Sequence, residues 1–568
     1  MIKDELRQII HKAIKKTYPK AKIKPDDIEI EIPNNTNHGD FSTNVALKVV
    51  SQLKPDSREI AEKITKSIKI KNAYAKVAGP GFINFYFKKA YYQEELKNIL
   101  KAKNKFGNSN LYKGKKVQVE FISANPTGPL TLANGRGGFA GDVLANVFQK
   151  AGAKVEREYY VNDGGNQVRV LGNSILVVAG LLDSDEDIYK GEYIAKWAKK
   201  NKNKISRYKR DPFVLGRLAA KDILDGYIKK TVKAMNISYD KWFSEYEMIK
   251  KKEVEKAITF LKRKKLIIKK DGALWLKTTK FNDDKDRVLI KQDGEKTYFA
   301  NDVAYHWDKF KKRKFDKVID IWGADHHGYI GRMRAAVSAM GCGEDLDIIL
   351  IQWVRLIKEG KEFSISKRKG TYITVDELLN EIKSKGKPST AVLLESERPR
   401  SRRQVREASD VVRFLFLTNS FNTHMDFDLD IAQEKEAQKN PVYYVKYAYA
   451  RLSGILRQAN TKYKIQNTKK AKLELLNHPV EIDLIKELIR LPEVVEGILS
   501  NRYYPVNKLT FYAIDIATKF HLFYDKCKVI DKDNKELTVA RLKLVEATKN
   551  VLGIVMKDLI GIDAPERM

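Results

Sequence analysis

The chain has 568 residues, enough for about three to five domains and more than one hydrophobic core. Hydrophobic residues make up 43% and aromatics 10%, which excludes global disorder; the 2 cysteines, Cys342 and Cys527, are too few for a disulfide framework or a cysteine-based zinc site. Lys and Arg total 108 against 73 Asp and Glu, a net charge of +35, which points to a polyanionic partner, with nucleic acid the first candidate.

No run of about 18 or more apolar residues occurs, so no membrane-spanning helix is expected. The opening Met1-Ile2-Lys3-Asp4-Glu5-Leu6 carries acids in its first turn and no apolar signal stretch. It reads as a mature helix of a cytoplasmic protein. Residues 1–108 mix a basic helix (Leu6, Ile9, Ile10, Ala13 and Ile14 at helical spacing) with alternating strands at Ile28–Ile32 and Ile83–Phe87, the latter introduced by Gly79-Pro80-Gly81. A small α+β domain is expected.

Across 109–430 the pattern changes. Val117, Val119 and Phe121 alternate in a strand that runs into Asn125-Pro126-Thr127-Gly128-Pro129. A helix with Phe139, Val143, Leu144, Val147 and Phe148 on one face follows, then Gly152 and a second strand at Lys154–Tyr160. Strand, helix and strand within about forty residues make a βαβ unit and a Rossmann-like parallel sheet. Val318–Trp322 and Asp347–Ile351 read as further buried strands. Ser396–Arg406 is expected to be an exposed loop. Over 431–568 helical periodicity takes over: Tyr443, Tyr447 and Ala450 share a face, and Glu481–Leu499 and Ala540–Met556 read as amphipathic helices of an all-helical domain. The fold class is multidomain α/β.

The loop after the first parallel strand is where doubly wound sheets bind ligands, and a helix N-terminus there favours phosphate. One reading is a dinucleotide fingerprint, Gly135-Arg136-Gly137-Gly138-Phe139-Ala140, with Glu156 or Glu158 as the ribose acid. It would make the chain a dinucleotide-dependent oxidoreductase. Its glycines, however, follow a long loop rather than the tight turn that fingerprint needs.

The other reading is a resemblance. Ser123-Ala124-Asn125-Pro126-Thr127-Gly128-Pro129-Leu130, the four residues Thr131-Leu132-Ala133-Asn134 and then Gly135-Arg136-Gly137 resemble the ATP-binding region of class I arginyl-tRNA synthetases. The likeness covers most of the chain. It includes His38-Gly39-Asp40-Phe41, Gly79–Asn84, Val161–Gln167, Tyr298–Tyr305, Gly323–Tyr329, Ser364–Gly370, Asp426–Asp430, Asn440–Val445 and Ala564–Met568.

That resemblance implies activation of arginine with ATP and magnesium, transfer to the 3′ end of tRNA, and no protein-bound structural metal. It assigns Thr131 and Asn134, in place of the family's two histidines, with Lys367, to catalysis. Thr131, Ala133, Asn134, Gly135, Ser366, Lys367 and Arg368 would bind ATP. Glu120, Ser123, Asn125, Tyr298, Asp302 and His326 would bind arginine; Tyr298 and Asp302 share one face if their segment is helical, and a carboxylate matches a guanidinium fork. Phe82 and Asn84 would touch the tRNA elbow from the N-terminal domain, and Tyr443 and Tyr447 the anticodon from the helical one. A monomer is expected. The altered signature leaves a second reading open, a catalytically weakened RNA-binding relative of the same fold.

Overall fold

The computed structural model describes residues 2–33, 35–53, 55–183, 188–363, 373–383, 402–463 and 471–568. The first helix, α1 (Ile2–Thr17), buries Leu6, Ile10, Ala13 and Ile14 on one stripe, with acids in its first turn and lysines in its last, as the helix dipole favours. It packs with α2 (Ser57–Ser67) on a three-stranded antiparallel sheet of β1 (Phe41–Thr43), β2 (Ala73–Ala78) and β3 (Phe82–Phe87), ordered β1-β3-β2. The expected strand Ile28–Ile32 is reduced to one bridge, Glu31 to Ser42. Ile28 and Ile30 are buried as the alternation requires, but only one residue finds a partner on the short β1.

Helix α3 (Lys89–Ala102), inside the 1–108 range, packs elsewhere. Tyr92, Leu96 and Ile99 join the main core, and the Gln93 side-chain amide donates to the Leu476 carbonyl at 3.0 Å.

The centre of the molecule is a five-stranded, wholly parallel sheet of β4 (Lys116–Glu120), β5 (Lys154–Val161), β6 (Lys241–Ser244), β10 (Lys317–Gly323) and β11 (Leu346–Ile351). Between β6 and β10 an antiparallel sheet, β7 (Ile267–Lys270), β8 (Ala273–Leu276) and β9 (Arg287–Ile290), has its own core around Val254, Leu261 and Leu289. The order of the parallel sheet is β11-β10-β4-β5-β6. The chain therefore grows outward from β4 in one direction and returns to its other side at β10. Ligands bind in the crevice outside the strand ends at such a reversal.

The helix after β4, α4 (Leu132–Lys150), corrects the dinucleotide reading. Its glycines lie within the helix. A methyl group on Gly138 would come within 2.8 Å of the Ile122 side chain, and one on Gly135 within 2.8 Å of Val375. They serve close packing. Glu158 is buried, accepting a hydrogen bond from Gln118 at 2.6 Å and an ion pair from Arg313, so it is not open to a ribose.

Further along, α8 (Arg402–Phe416) begins where an exposed loop was expected, so the end of Ser396–Arg406 is helical; the part up to Ser401 lies outside the described residues. The helical end of the chain comprises α9 (Pro441–Tyr463), α10 (Pro479–Leu488), α11 (Leu491–Leu499), α12 (Lys508–Lys526) and α13 (Lys535–Gly553). The single helix expected over Glu481–Leu499 is two, α10 and α11. Pro492 lacks a backbone N–H and sits in the first turn of the second, where that loss is tolerated. One continuous core runs from Val117 and Phe121 in the sheet to Ile562 near the C-terminus. Arg413 fastens it: fully buried, it pairs with Asp142 at 2.7 Å and donates to the Ile560 and Met235 carbonyls. No helix among the described residues is long and apolar enough to cross a membrane.

Candidate active site

The crevice floor is the end of β4. Just beyond it two non-glycine residues in succession, Ile122 (φ 66°) and Ser123 (φ 41°), take the left-handed conformation. That costs on the order of 1 kcal/mol or more each, and such strain collects at functional sites. Ser123 is held there from both sides. Its hydroxyl donates to Glu120 at 2.9 Å and accepts the Tyr160 N–H at 3.1 Å. The Tyr159 hydroxyl fixes the next carbonyl, Ala124, at 2.8 Å. Asn125 follows, half-buried.

Glu120 does not face the open crevice. It is buried, and its second oxygen is 2.6 Å from the ammonium of Lys309, which lies 2.7 Å from Asp320. His306 completes the chain with a ring nitrogen 2.8 Å from Asp320. Lys309 sits in the π-helical turn Asp308–Lys312, which extends α7 (Tyr298–Trp307). The wider turn places its ammonium between β4 and β10, where a lone charge would be untenable and a paired one is satisfied.

On the opposite side of the reversal stands the N-terminus of α4. Thr131 is its N-cap and forms a capping box with Asn134: the Asn134 side-chain oxygen accepts the Thr131 N–H and hydroxyl, each at 2.9 Å, and the Thr131 hydroxyl oxygen accepts the Asn134 N–H at 3.3 Å. The amide NH2 of Asn134 is left without a partner among the described residues. Ala133 is half-buried and Gly135 buried against Val375. Arg136 points away, fully buried, donating to the carbonyls of Gln352, Ser420 and Thr423. Ser364, Ser366, Lys367 and Arg368 lie outside the described residues.

The third side is α7, capped by Thr297. Tyr298 and Asp302 do lie one turn apart on it. Tyr298 is 60% exposed, so it is not a core aromatic, and its ring comes near Gly165. Asp302 accepts the Tyr329 hydroxyl at 2.5 Å and has one oxygen with no hydrogen-bond partner among the described residues. Burial pushes its carboxyl above the usual range.

A residue the sequence did not single out completes this face. Glu245, first in a short helix after β6, is buried; one oxygen accepts the Asn301 amide at 2.9 Å, and the other, with the Tyr160 hydroxyl beside it, has no well-aligned hydrogen bond among the described residues. Burial raises its carboxyl, Asn301 opposes the shift, and the Asp302 charge adds to it, leaving it pushed up to about 7. The buried Tyr160 hydroxyl sits among Glu245, Asp302 and Glu120, so the three acids converge. Its only sequence signal was an acid placed just after a strand end, in Ser244-Glu245-Tyr246-Glu247, which looks like a solvated stretch. His326, in the turn after β10, stays exposed and lies 3.5 Å from Asp325. No group of three or more His, Cys, Asp or Glu side chains that could hold a metal occurs among the described residues.

The four residues expected to meet RNA divide. Phe82 is 37% exposed and Tyr447 40%, whereas Asn84 is buried and accepts the Ser42 hydroxyl at 2.7 Å. Tyr443 is buried too, donating to Glu407 at 2.6 Å. Tyr447 stacks on His521 with ring centroids 5.8 Å apart, and the Arg451 guanidinium bridges the Tyr447 and Tyr524 rings at 5.6 and 4.1 Å.

The arginyl-tRNA synthetase of Thermus thermophilus shares this architecture, with a TM-score of 0.75 at 21% identity and coverage of 100% of both chains, a likeness of fold. A doubly wound sheet with this crevice, joined to a helical C-terminal unit, is that of a class I aminoacyl-tRNA synthetase. Family models match along the chain: arginyl tRNA synthetase N terminal domain at 4–87, tRNA synthetases class I (R), catalytic domain at 95–412, and DALR anticodon binding domain at 445–568. An arginine–tRNA ligase of Desulfosudis oleivorans is 38% identical over 588 residues, covering 100% of both chains, and one of Listeria welshimeri is 39% identical over 581 residues, covering 99% of this chain and 98% of that one. The chain belongs to the arginyl-tRNA synthetase family.

Proposed function

We propose that this arginine–tRNA ligase binds and activates arginine in the crevice between β4 and β10, and that Asp302 and Glu245 together receive the substrate guanidinium. The observation that carries the reading is the buried Glu245 carboxylate and the half-buried Asp302 carboxylate, each with an oxygen lacking a hydrogen-bond partner among the described residues, beside an exposed tyrosine. A planar guanidinium with five donors satisfies two such acceptors at once. Tyr298 would cover the side chain. Ser123, Asn125 and His326 line the approach for the amino and carboxylate groups, and Glu120 acts indirectly by fixing Ser123.

Activation is in-line attack of the arginine carboxylate on the α-phosphate of ATP. Charge develops on phosphate oxygens, so donors aimed there lower the barrier without any protein nucleophile. The N-terminus of α4, with the free Asn134 amide, is suited to this, and Thr131 secures its direction through the capping box. Ala133 and Gly135 would border the nucleotide. Lys367, with Ser366 and Arg368, would supply cations to the departing pyrophosphate. Magnesium would arrive with ATP; among the described residues no group of three or more His, Cys, Asp or Glu side chains could hold it.

Transfer to the 3′ adenosine follows at the same crevice. The tRNA would be gripped at its elbow by the 1–108 unit through Phe82 and at its anticodon by the 431–568 unit through Tyr447 and the rings stacked near it, with 109–430 between them. Asn84 and Tyr443, both internal, would hold those surfaces in shape. The ligase would act as a monomer, and two free cysteines suit the reducing cytoplasm. Asp302→Asn tests the reading. The arginine KM should rise by about tenfold to a hundredfold, the loss of a charged hydrogen bond, with the ATP KM unchanged. An unchanged arginine KM would remove Asp302 from the site.

A further inference from the structure

Between the arginine face and the crevice floor lies a buried ring to which the chemistry above gives no part. His306 is the one buried side chain among the eight histidines. It sits one turn after Asp302 on α7, and its two nitrogens have different partners. Nδ1 is 2.8 Å from the Asp302 backbone carbonyl, and Nε2 is 2.8 Å from the Asp320 carboxylate on β10. Asp320 stays ionised, because Lys309 and His306 outweigh its burial. A carbonyl and a carboxylate only accept, so both ring nitrogens donate. The other Asp320 oxygen takes the Lys309 ammonium at 2.7 Å. Lys309 lies over the Tyr305 ring, 4.1 Å from its centroid, and reaches Glu120 at 2.6 Å. Glu120 is the register partner of Asp320 in the sheet, and its remaining oxygen accepts the Ser123 hydroxyl at 2.9 Å. An unbroken polar line therefore runs from the backbone of Asp302 to the strained Ser123. His306, Asp320, Lys309 and Glu120 are each no more than 5% exposed, and bonds so far from water hold their geometry.

We propose that His306 is a positioning residue that gauges the length of the substrate: it ties α7, and with it Asp302, to β10, and through Lys309 and Glu120 it sets the span to Ser123. Arginine meets both walls at once. Its guanidinium goes to Asp302 and Glu245, and its amino and carboxylate end to the side of Ser123, so the span has to match one side chain. Apolar packing between α7 and the sheet is non-directional and would leave that span loose, whereas hydrogen bonds fix both distance and angle. Without His306, Asp320 loses a donor and the Asp302 carbonyl loses its link to the sheet. The inference rests on the arginine reading above, since it takes Asp302 as the guanidinium acceptor.

The test is His306→Gln, which keeps one donor group and loses the bridge. KM values for arginine, ATP and tRNA are measured in arginyl-tRNA formation, together with inhibition by the homologue of arginine one methylene longer. The variant should raise the arginine KM by about tenfold, the effect of one charged hydrogen bond, and leave the ATP and tRNA values as in the parent protein. It should also narrow the preference for arginine over the longer homologue, since discrimination by a methylene depends on a fixed span. An unchanged arginine KM, arginine and ATP values that rise together, or a preference that is kept would overturn the assignment. A second measurement needs no variant. In the full chain carrying isotope-labelled histidine, the ring whose N–H protons exchange slowest with water should show a proton on both nitrogens, and its signals should shift when arginine binds. One bare nitrogen, or signals that arginine leaves unmoved, would refute the role. The arginine reading fails separately, through Asp302→Asn with an unchanged arginine KM.

Discussion

At the scale of the residue, Glu245 and Asp302 show what sequence spacing reaches and what it misses. Tyr298 and Asp302 are four apart, and that interval on a capped helix was enough to place both on one face. Glu245 comes from a different element, and only the folded chain reveals that it is buried with an oxygen unpartnered among the described residues. Its raised carboxyl makes a signed prediction. Glu245 must be ionised to accept a guanidinium, so the free enzyme should lose arginine kcat/KM as pH falls through about 7. The decline should approach about tenfold per pH unit while one proton is responsible. In Glu245→Gln that limb should disappear, with a higher arginine KM at every pH. A variant that kept the limb would show that another group titrates.

At the scale of the element, the sheet and its flanking helices were legible because β10 and β11 are short apolar runs, as buried parallel strands are, and because Val117, Val119 and Phe121 alternate ahead of a helix and a second strand. The short pieces were not. Ile28–Ile32 has strand alternation without a partner strand long enough to pair, and Pro492 divides a helix whose apolar periodicity continues across the break. Lys309 was hidden for a related reason. In Asp308-Lys309-Phe310-Lys311-Lys312 it looks like one more solvated lysine, and only the π-helical turn directs it inward. It links α7 to β4 and β10. Lys309→Met would leave Glu120 and Asp320 buried without their cation and should cost about 3–5 kcal/mol in urea denaturation. Asp320 adds a pH signature. Burial pushes its carboxyl up, but Lys309 and His306 outweigh this and hold it well below the usual range. Its contribution is therefore present above the unfolded-state pKa and lost as acid brings the pH down through the native one. Asp320→Asn should flatten that part of the acid unfolding curve; an unaltered curve would mean the pair contributes nothing.

At the scale of the whole molecule, composition identified a polyanion binder and periodicity separated an α+β start, a parallel-sheet centre and a helical end. It could not reveal how they join. The N-terminal unit has its own core, whereas the sheet and the C-terminal helices share one, fastened at Arg413 and reaching back to claim α3. A shared core predicts shared cooperativity. Calorimetry should find the catalytic and helical units unfolding in one transition, and Arg413→Met should lower that transition as a whole. Two transitions for those units would contradict a continuous core.

The Thr131-Leu132-Ala133-Asn134 signature is proposed to serve a working ligase. Here the structure provides a sound N-cap and an Asn134 amide NH2 unpartnered among the described residues where the family resemblance implied two imidazoles. The most direct measurement is formation of arginyl-tRNA from arginine, ATP and arginine-accepting tRNA by the full chain. Arginyl-tRNA should accumulate, and Asn134→Ala should lower its rate while tRNA affinity is kept. A folded protein that binds the tRNA and yields no arginyl-tRNA would contradict it, and would instead identify the chain as an RNA-binding relative that has lost its chemistry.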